Sequence, residues 1–74
     1  MNQHAFLYAG LFDGAERADL PLAAGRRGYV HVARGAINVN GRKLHAGDAL
    51  KLDGGTVIEL KDGRDAEVLL FDLP

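Results

Sequence analysis

The chain has 74 residues, which is enough for one small domain. It contains no cysteine, which excludes disulfides and thiolate metal sites. Its 9 Lys and Arg nearly balance its 10 Asp and Glu. The balanced charge argues against a nucleic-acid partner, no apolar run reaches the ~20 residues of a membrane span, and Met1-Asn2-Gln3-His4 does not begin a signal peptide. We therefore expect a soluble, cytoplasmic domain spanning residues 1–74 that gains added stability from a partner surface.

Short apolar stretches between glycine-containing turns predict an all-β protein, because alternation is frequent and no helical period recurs. The predicted strands are Ala5–Phe12, Arg17–Leu22, Gly28–Arg34, Ala36–Val39, Arg42–Leu44, Ala49–Leu52, Thr56–Leu60 and Ala66–Asp72. About eight short antiparallel strands at this spacing indicate a small β-sandwich or barrel. A helix over Ala15–Ala24 is an alternative, but Pro21 interrupts it and its apolar spacing is poor.

One hairpin is predicted from its turn. Asn40 and Gly41 fit the two central positions of a type I′ turn, where both residues need a positive φ. The turn sets the pairing of the flanking residues: Val39 with Arg42, Asn38 with Lys43, and Ile37 with Leu44. The aliphatic members then share a buried face, and Asn38 and Lys43 share the face in contact with water.

The first and last strands are apolar on both faces, although a small barrel has only one interior. The first carries aromatic side chains on one face and leucines on the other, and Val68-Leu69-Leu70-Phe71 is apolar throughout. A small cluster packed under a loop is the simpler interpretation, but exposed apolar patches mark interfaces, and we favour a partner surface. The expected interface comprises Phe6, Tyr8, Phe12, Leu69 and Phe71.

Several segments resemble a known family. The segment from Val32 to Gly41, in which Gly35 is followed by a Val-Asn-Gly hairpin, and the Gly-Asp turn within Leu44–Leu50 resemble the centre of a cupin. Leu7–Gly14 and Ala66–Leu73 resemble the C-terminal domain of pirin-like bicupins, which are often labelled quercetin 2,3-dioxygenases. The resemblance covers nearly the whole chain and implies a cupin-like jelly roll.

The resemblance also implies where a metal would be bound. In this family the N-terminal cupin holds the metal with three His and one Glu, while the C-terminal cupin generally lacks these ligands and packs against the first. The cupin motifs, aligned on Gly35 and Gly47, place the Glu position on Gly28 and the last His position on Ile58. The paired His positions fall on Leu22 and Ala24, or on Pro21 and Ala23 with the longer spacing.

None of these residues has a side-chain donor atom, so the alignment implies no metal and no cofactor. It implies instead an apolar pocket formed by Leu22, Ala24, Gly28 and Ile58.

Other polar groups give weaker signals. His4, His31 and His45 lack a ligand spacing such as H-x-H, so we interpret them as surface or hydrogen-bonded residues rather than a metal site. Two acidic turns resemble fragments of calcium loops, and we expect their carboxylates to accept backbone N–H groups; they are Asp13–Glu16 and Asp62–Asp65. The basic turn Gly25–Gly28 is interpreted as solvated, with an anion or an acidic partner as the alternative.

These observations predict a non-catalytic structural or interaction module of the type found as the C-terminal domain of a pirin-like bicupin. Its expected partner is a second copy, in a homodimer, or an N-terminal cupin domain. The alternative is a small-molecule-binding cupin, or a dioxygenase-related enzyme that acts on flavonoid-like substrates with a metal supplied by another domain. The chain has no serine or cysteine nucleophile, so the common covalent mechanisms are unavailable to it.

Overall fold

A computed structural model describes residues 6–74, and this part of the chain folds into six strands with no helix. The strands are β1 (Phe6–Phe12), β2 (Ala18–Leu22), β3 (Arg27–Val39), β4 (Arg42–His45), β5 (Ala49–Asp53) and β6 (Thr56–Leu73). The all-β prediction is confirmed. The alternative helix over Ala15–Ala24 is wrong, because this stretch contains β2, which alternates inner and outer residues and pairs with β6. Ala5, at the start of the first predicted strand, lies outside the described residues.

The count is six strands rather than eight because β3 and β6 each join two predicted strands. Gly35 in β3 has a φ of 70°, and Asp62 and Asp65 in β6 have φ values of 54° and 46°. The β3–β6 ladder shifts register three times between Val32 and Asn38. Such bulges bend a strand without ending it, so these residues bend continuous strands where the sequence predicted turns.

The long strands β3 and β6 are shared by two four-stranded groups. One group has the order β1-β6-β3-β5 and the other the order β2-β6-β3-β4. β1 pairs with the C-terminal half of β6, from Phe6 opposite Asp72 to Phe12 opposite Ala66. β2 pairs with the N-terminal half, where Ala18 lies opposite Leu60. All pairings are antiparallel, and β1 and β2 are the outer strands on the same side.

The inner faces of both groups form one core. Its buried side chains are all aliphatic: Leu22, Val30, Val32, Ile37, Val39, Leu44, Ile58, Leu60, Ala66, Val68 and Leu70. Along β3, Val30 and Val32 are fully buried while Tyr29 and His31 are only half-buried. This alternation confirms the period-two pattern from which the strand was predicted.

The predicted hairpin is confirmed in turn geometry, register and facing. Asn40 and Gly41 have φ values of 48° and 85°, as a type I′ turn requires. The observed pairs are Val39 with Arg42, Asn38 with Lys43, and Ile37 with Leu44.

Residues 6–74 contain no helix long and apolar enough to cross a membrane.

Candidate functional site

Three of the four residues at the aligned metal-ligand positions meet inside the core. Gly28 is buried on β3, and a Cβ atom placed there would lie 3.1 Å from both Ile58 Cδ1 and Leu22 Cδ2 and 3.6 Å from Leu52 Cβ. Leu22 and Ile58 are 3% and 1% exposed. Ala24 is exposed in the turn after β2 and does not join them. Leu22 and Ile58 therefore fill the space beside Gly28.

The chemistry of these residues does not fit a metal ion. Leu22 and Ile58 carry no nitrogen, oxygen or sulfur in their side chains, and Gly28 has no side chain, whereas metals need such donors. Pro21 and Ala23, the alternative alignment, are both exposed and equally lack donors.

The described residues offer no second place for a metal. Between residues 6 and 74, no three His, Asp, Glu or Cys side chains gather in a way that would hold an ion. His31 is half-buried in β3, and His45 is exposed with its Nδ1 3.9 Å from Asp48 Oδ2. His4 lies outside the described residues.

An apolar cleft lies between the outer strands β1 and β2, where the sequence predicted none. It comprises two adjoining cavities of about 180 Å³ and 210 Å³. Tyr8, Leu20 and Leu70 line both. Leu22 and Ile58 also line the second cavity, whereas Gly28 and Ala24, the other two residues of the predicted pocket, do not. The alternation of Ala18, Leu20 and Leu22 was the available signal, but the sequence does not place β2 beside β1.

The five predicted interface residues lie on two faces of the sheet. Directly paired residues in an antiparallel ladder point to the same side. Tyr8 pairs with buried Leu70, so the aromatic face of β1 is the inner face bordering the cleft. Leu69 and Phe71 pair with Ala9 and Leu7 on the outer face. The aromatic residues of β1 and the pair on β6 therefore do not form one continuous patch.

The exposed apolar surface concentrates on β1. Within residues 6–74, six large apolar side chains are exposed, and four of them belong to this strand: Phe6 at 48%, Leu7 at 58%, Tyr8 at 46% and Leu11 at 72%. On β6, Leu69 and Phe71 are only half-buried, and the Phe71 ring packs edge-on against Tyr29 with centroids 6.0 Å apart. Both faces of β1 thus present apolar side chains to solvent.

The basic turn is tied to the end of the chain rather than fully solvated. Arg26 and Asp72 form an ion pair whose side chains are 23% and 15% exposed, and Arg26 Nη2 donates to the Asp72 carbonyl oxygen at 3.2 Å. The Arg26 guanidinium also lies over the Phe6 ring, 5.6 Å from its centroid. The expectation of a solvated turn is wrong for Arg26, because β6 ends beside it, and it holds for exposed Arg27.

The two acidic turns lie side by side, and the carboxylates of Asp13 and Glu16 in the first turn accept backbone N–H groups, as expected there. The Asp13 amide donates to Glu16 Oε1 at 3.1 Å, the Asp65 amide donates to Asp13 Oδ1 at 3.3 Å, and the Gly14 amide donates to the Gly63 carbonyl at 3.0 Å. The Asp13 carboxylate and the Gly14 amide therefore join the β1–β2 turn to the bend of β6.

Arg17 forms a surface cluster with acidic residues near β2. Its guanidinium lies 3.4 Å from Asp19 and 2.9 Å from Glu59. The hydrogen bond to Asp19, with the charges of Asp19 and Glu59, raises the pKa of Arg17 above its usual value. The group stays cationic and is unsuited to proton transfer.

The comparison with protein families gives one match that spans nearly the whole chain. The family model described as the quercetinase C-terminal cupin domain matches residues 1–73. The chain is 34% identical over 74 residues to quercetin 2,3-dioxygenase from Escherichia coli strain K12, and equally to that of Escherichia coli O157:H7. The match covers all of this chain but only 32% of either relative.

Solved structures show the same fold. A bacterial pirin, YhhW from Escherichia coli in complex with nickel(II), matches the whole chain with a TM-score of 0.89 and 34% identity, over 32% of its own length. The cupin domain of an XRE-family transcriptional regulator from Enterobacter cloacae matches 93% of the chain and 78% of that chain, with a TM-score of 0.68 and 16% identity. A de novo designed double-stranded β-helix matches 92% of the chain and 96% of its own, with a TM-score of 0.65 and 16% identity. These two distant likenesses concern the fold alone, and the cupin-like prediction is confirmed.

Proposed function

The chain belongs to the quercetinase C-terminal cupin domain family, and from this premise we propose that it is a non-catalytic cupin module that packs against a partner. The observation that carries the proposal is the filled space at Gly28, closed by Leu22 and Ile58. Catalytic cupins of the resembled type place metal ligands at these positions. Here the same positions supply core packing.

The partner side of the proposal rests on β1. Its exposed side chains on both faces form an apolar surface of the kind that marks protein contacts. A chain this small also buries a smaller fraction of its surface than a larger domain does, so covering β1 adds stability. The proposed partner is a second cupin domain or a second copy of this chain, in the cytoplasm, and residues 1–74 act as one domain.

Metal loading tests the non-catalytic assignment. We expect purified chain incubated with nickel(II) or iron(II) and then desalted to retain far less than one ion per chain, because no donor atoms stand at the aligned positions. Elemental analysis measures the retained metal, and oxygen uptake with quercetin measures activity. The Escherichia coli pirin treated in parallel is the positive control, since its structure contains nickel(II). A stoichiometric ion on this chain would overturn the assignment.

The cleft between β1 and β2 favours a second candidate function, the binding of an apolar small molecule. Its lining residues are largely aliphatic and aromatic, and Tyr8 and Asp72 are those that carry polar side-chain groups. Ligand sites typically combine an apolar wall with few polar groups. A flavonoid-like ring system has this character. In a larger protein, a metal from another domain would supply any dioxygenase chemistry.

A titration with quercetin separates the two functions. If the cleft is a binding site, amide chemical shifts of Gly10, Leu20 and Leu70 move together and saturate, while those of Lys43 and Lys51, on the opposite outer strands, stay in place. The primary proposal expects no saturable shift at any of these amides. A saturable response would replace it with the binding function.

A further inference from the structure

β1 differs in composition from the other outer strands. Each of the four outer strands pairs on one edge only, with β3 or β6, in the part of the chain that the structure describes. Proteins protect such edges with charged residues or proline. β2 carries Asp19 and Pro21, β4 carries Arg42 and Lys43, and β5 carries Lys51 and Asp53. β1 carries no charge and no proline.

The sequence of β1 is also nearly the same in both directions. It runs Phe-Leu-Tyr-Ala-Gly-Leu-Phe from residue 6 to residue 12. Two copies aligned antiparallel about Ala9 place Phe6 opposite Phe12 and Leu7 opposite Leu11. The remaining pair places Tyr8, which has a large side chain, opposite Gly10, which has none. The strand is therefore complementary to itself in one register.

The Tyr8–Gly10 pair has a structural basis. At Gly10, the inner side is covered by the ring of Phe12, because a Cβ atom there would lie 2.7 Å from Phe12 Cε1. Tyr8, 46% exposed, occupies the same inner face two residues away. In the antiparallel register, Tyr8 of one copy would lie on the Phe12 ring of the other, and cross-strand aromatic pairs of this kind stabilise sheets.

We propose that two copies of the chain join through β1, antiparallel about a twofold axis at Ala9. The proposal rests on the proposed function, since it names the partner of the apolar surface. The resulting dimer would contain one continuous sheet with the strand order β5-β3-β6-β1-β1-β6-β3-β5. Paired in this way, β1 brings no like charges together, whereas β5 would set Lys51 against Lys51 and β2 would place Pro21 in the pairing.

Cross-linking tests the register. Directly opposite residues in an antiparallel pair have Cα atoms about 4.5–5.5 Å apart, within the ~4.4–6.8 Å that a disulfide spans. The chain has no cysteine of its own, so oxidised Ala9→Cys should migrate as a covalent dimer on a non-reducing gel. Ala49→Cys is the matched control, because Ala49 is also an exposed alanine in an outer strand. It should stay monomeric on the same gel.

Charge substitution tests the same contact without oxidation. Ala9 is exposed, so Ala9→Lys and Ala9→Glu should fold normally. Each should weaken dimerisation about tenfold in sedimentation, because like charges meet at the axis of the interface. An equimolar mixture of the Ala9→Lys and Ala9→Glu variants should dimerise again, because opposite charges then meet at the axis. Ala49→Lys should sediment like the parent chain.

The outcomes separate this inference from the proposed function. A dimer that neither cross-links at Ala9→Cys nor dissociates with Ala9→Lys uses another surface, which overturns the β1 register and leaves the interaction module standing. A parent chain that stays monomeric at high concentration also overturns the inference and leaves β1 to another cupin domain. Metal binding, measured independently, is what overturns the non-catalytic assignment.

Discussion

Gly35→Ala is expected to lower the free energy of unfolding by about 3–5 kcal/mol, a large part of the ~4–11 kcal/mol that a chain of this length has. The φ of 70° at this residue costs a non-glycine residue about 1–2 kcal/mol. In addition, the new Cβ would lie 2.1 Å from the Arg64 carbonyl oxygen and 2.4 Å from that of Asp65. Both are backbone atoms, so the β3–β6 ladder itself would have to open.

The matched control is Gly14→Ala. Gly14 has a similar φ of 64°, but no atom lies within 4 Å of the added Cβ, so only the conformational cost of about 1–2 kcal/mol remains. Urea denaturation of both variants measures the difference. Equal losses in the two variants would show that β3 and β6 do not approach each other closely at Gly35.

Ile58→Ala is expected to lower the free energy of unfolding by about 3 kcal/mol, because it removes a buried aliphatic side chain from the core. Ile58 stands at the aligned position of the last motif histidine, is 1% exposed and lies against Gly28. In a domain of this size, a loss of about 3 kcal/mol lowers the Tm by roughly 12–24 °C, which calorimetry measures directly.

Val57→Ala is the control for this change. Val57 is the preceding residue on β6 but lies on the outer face and is 51% exposed, so its truncation should cost within about 0.5 kcal/mol. A comparably small loss at Ile58 would mean that the space at the aligned site is not filled by its side chain. The argument that core packing replaces the metal ligands at this position would then fail.

Local signals predicted most of the fold. The Asn40-Gly41 turn determined a register and a buried face that both hold, because a type I′ turn leaves the flanking strands one alignment. Gly35 and Asp62-Gly63 were interpreted as turns, since the sequence signal for a turn and for a bulge is the same. Only the register of the partner strand decides between them.

The site was predictable only where a motif fixed the spacing. Leu22, Gly28 and Ile58 meet as the cupin alignment implies, but Ala24 does not, because β2 ends at Leu22 and the chain turns away. The cleft depends on β1 and β2 flanking different halves of β6, which no local pattern specifies. Arg26 and Asp72 are 46 residues apart in the sequence, and no local pattern predicts that they form an ion pair.

The position of β6 has a consequence for how the chain acquires its structure. It follows the other five described strands along the chain, and it is the one against which β1, β2 and β3 all pair. Among the strands of residues 6–74, the β3–β4 and β3–β5 pairings can form before β6 leaves the ribosome, whereas β1 and β2 still lack the strand with which they pair in the fold. Non-local pairing of this kind slows folding and leaves apolar strands exposed to aggregation in the meantime. We therefore expect β1, which carries no charged residue, to be exposed to aggregation until β6 has been synthesised.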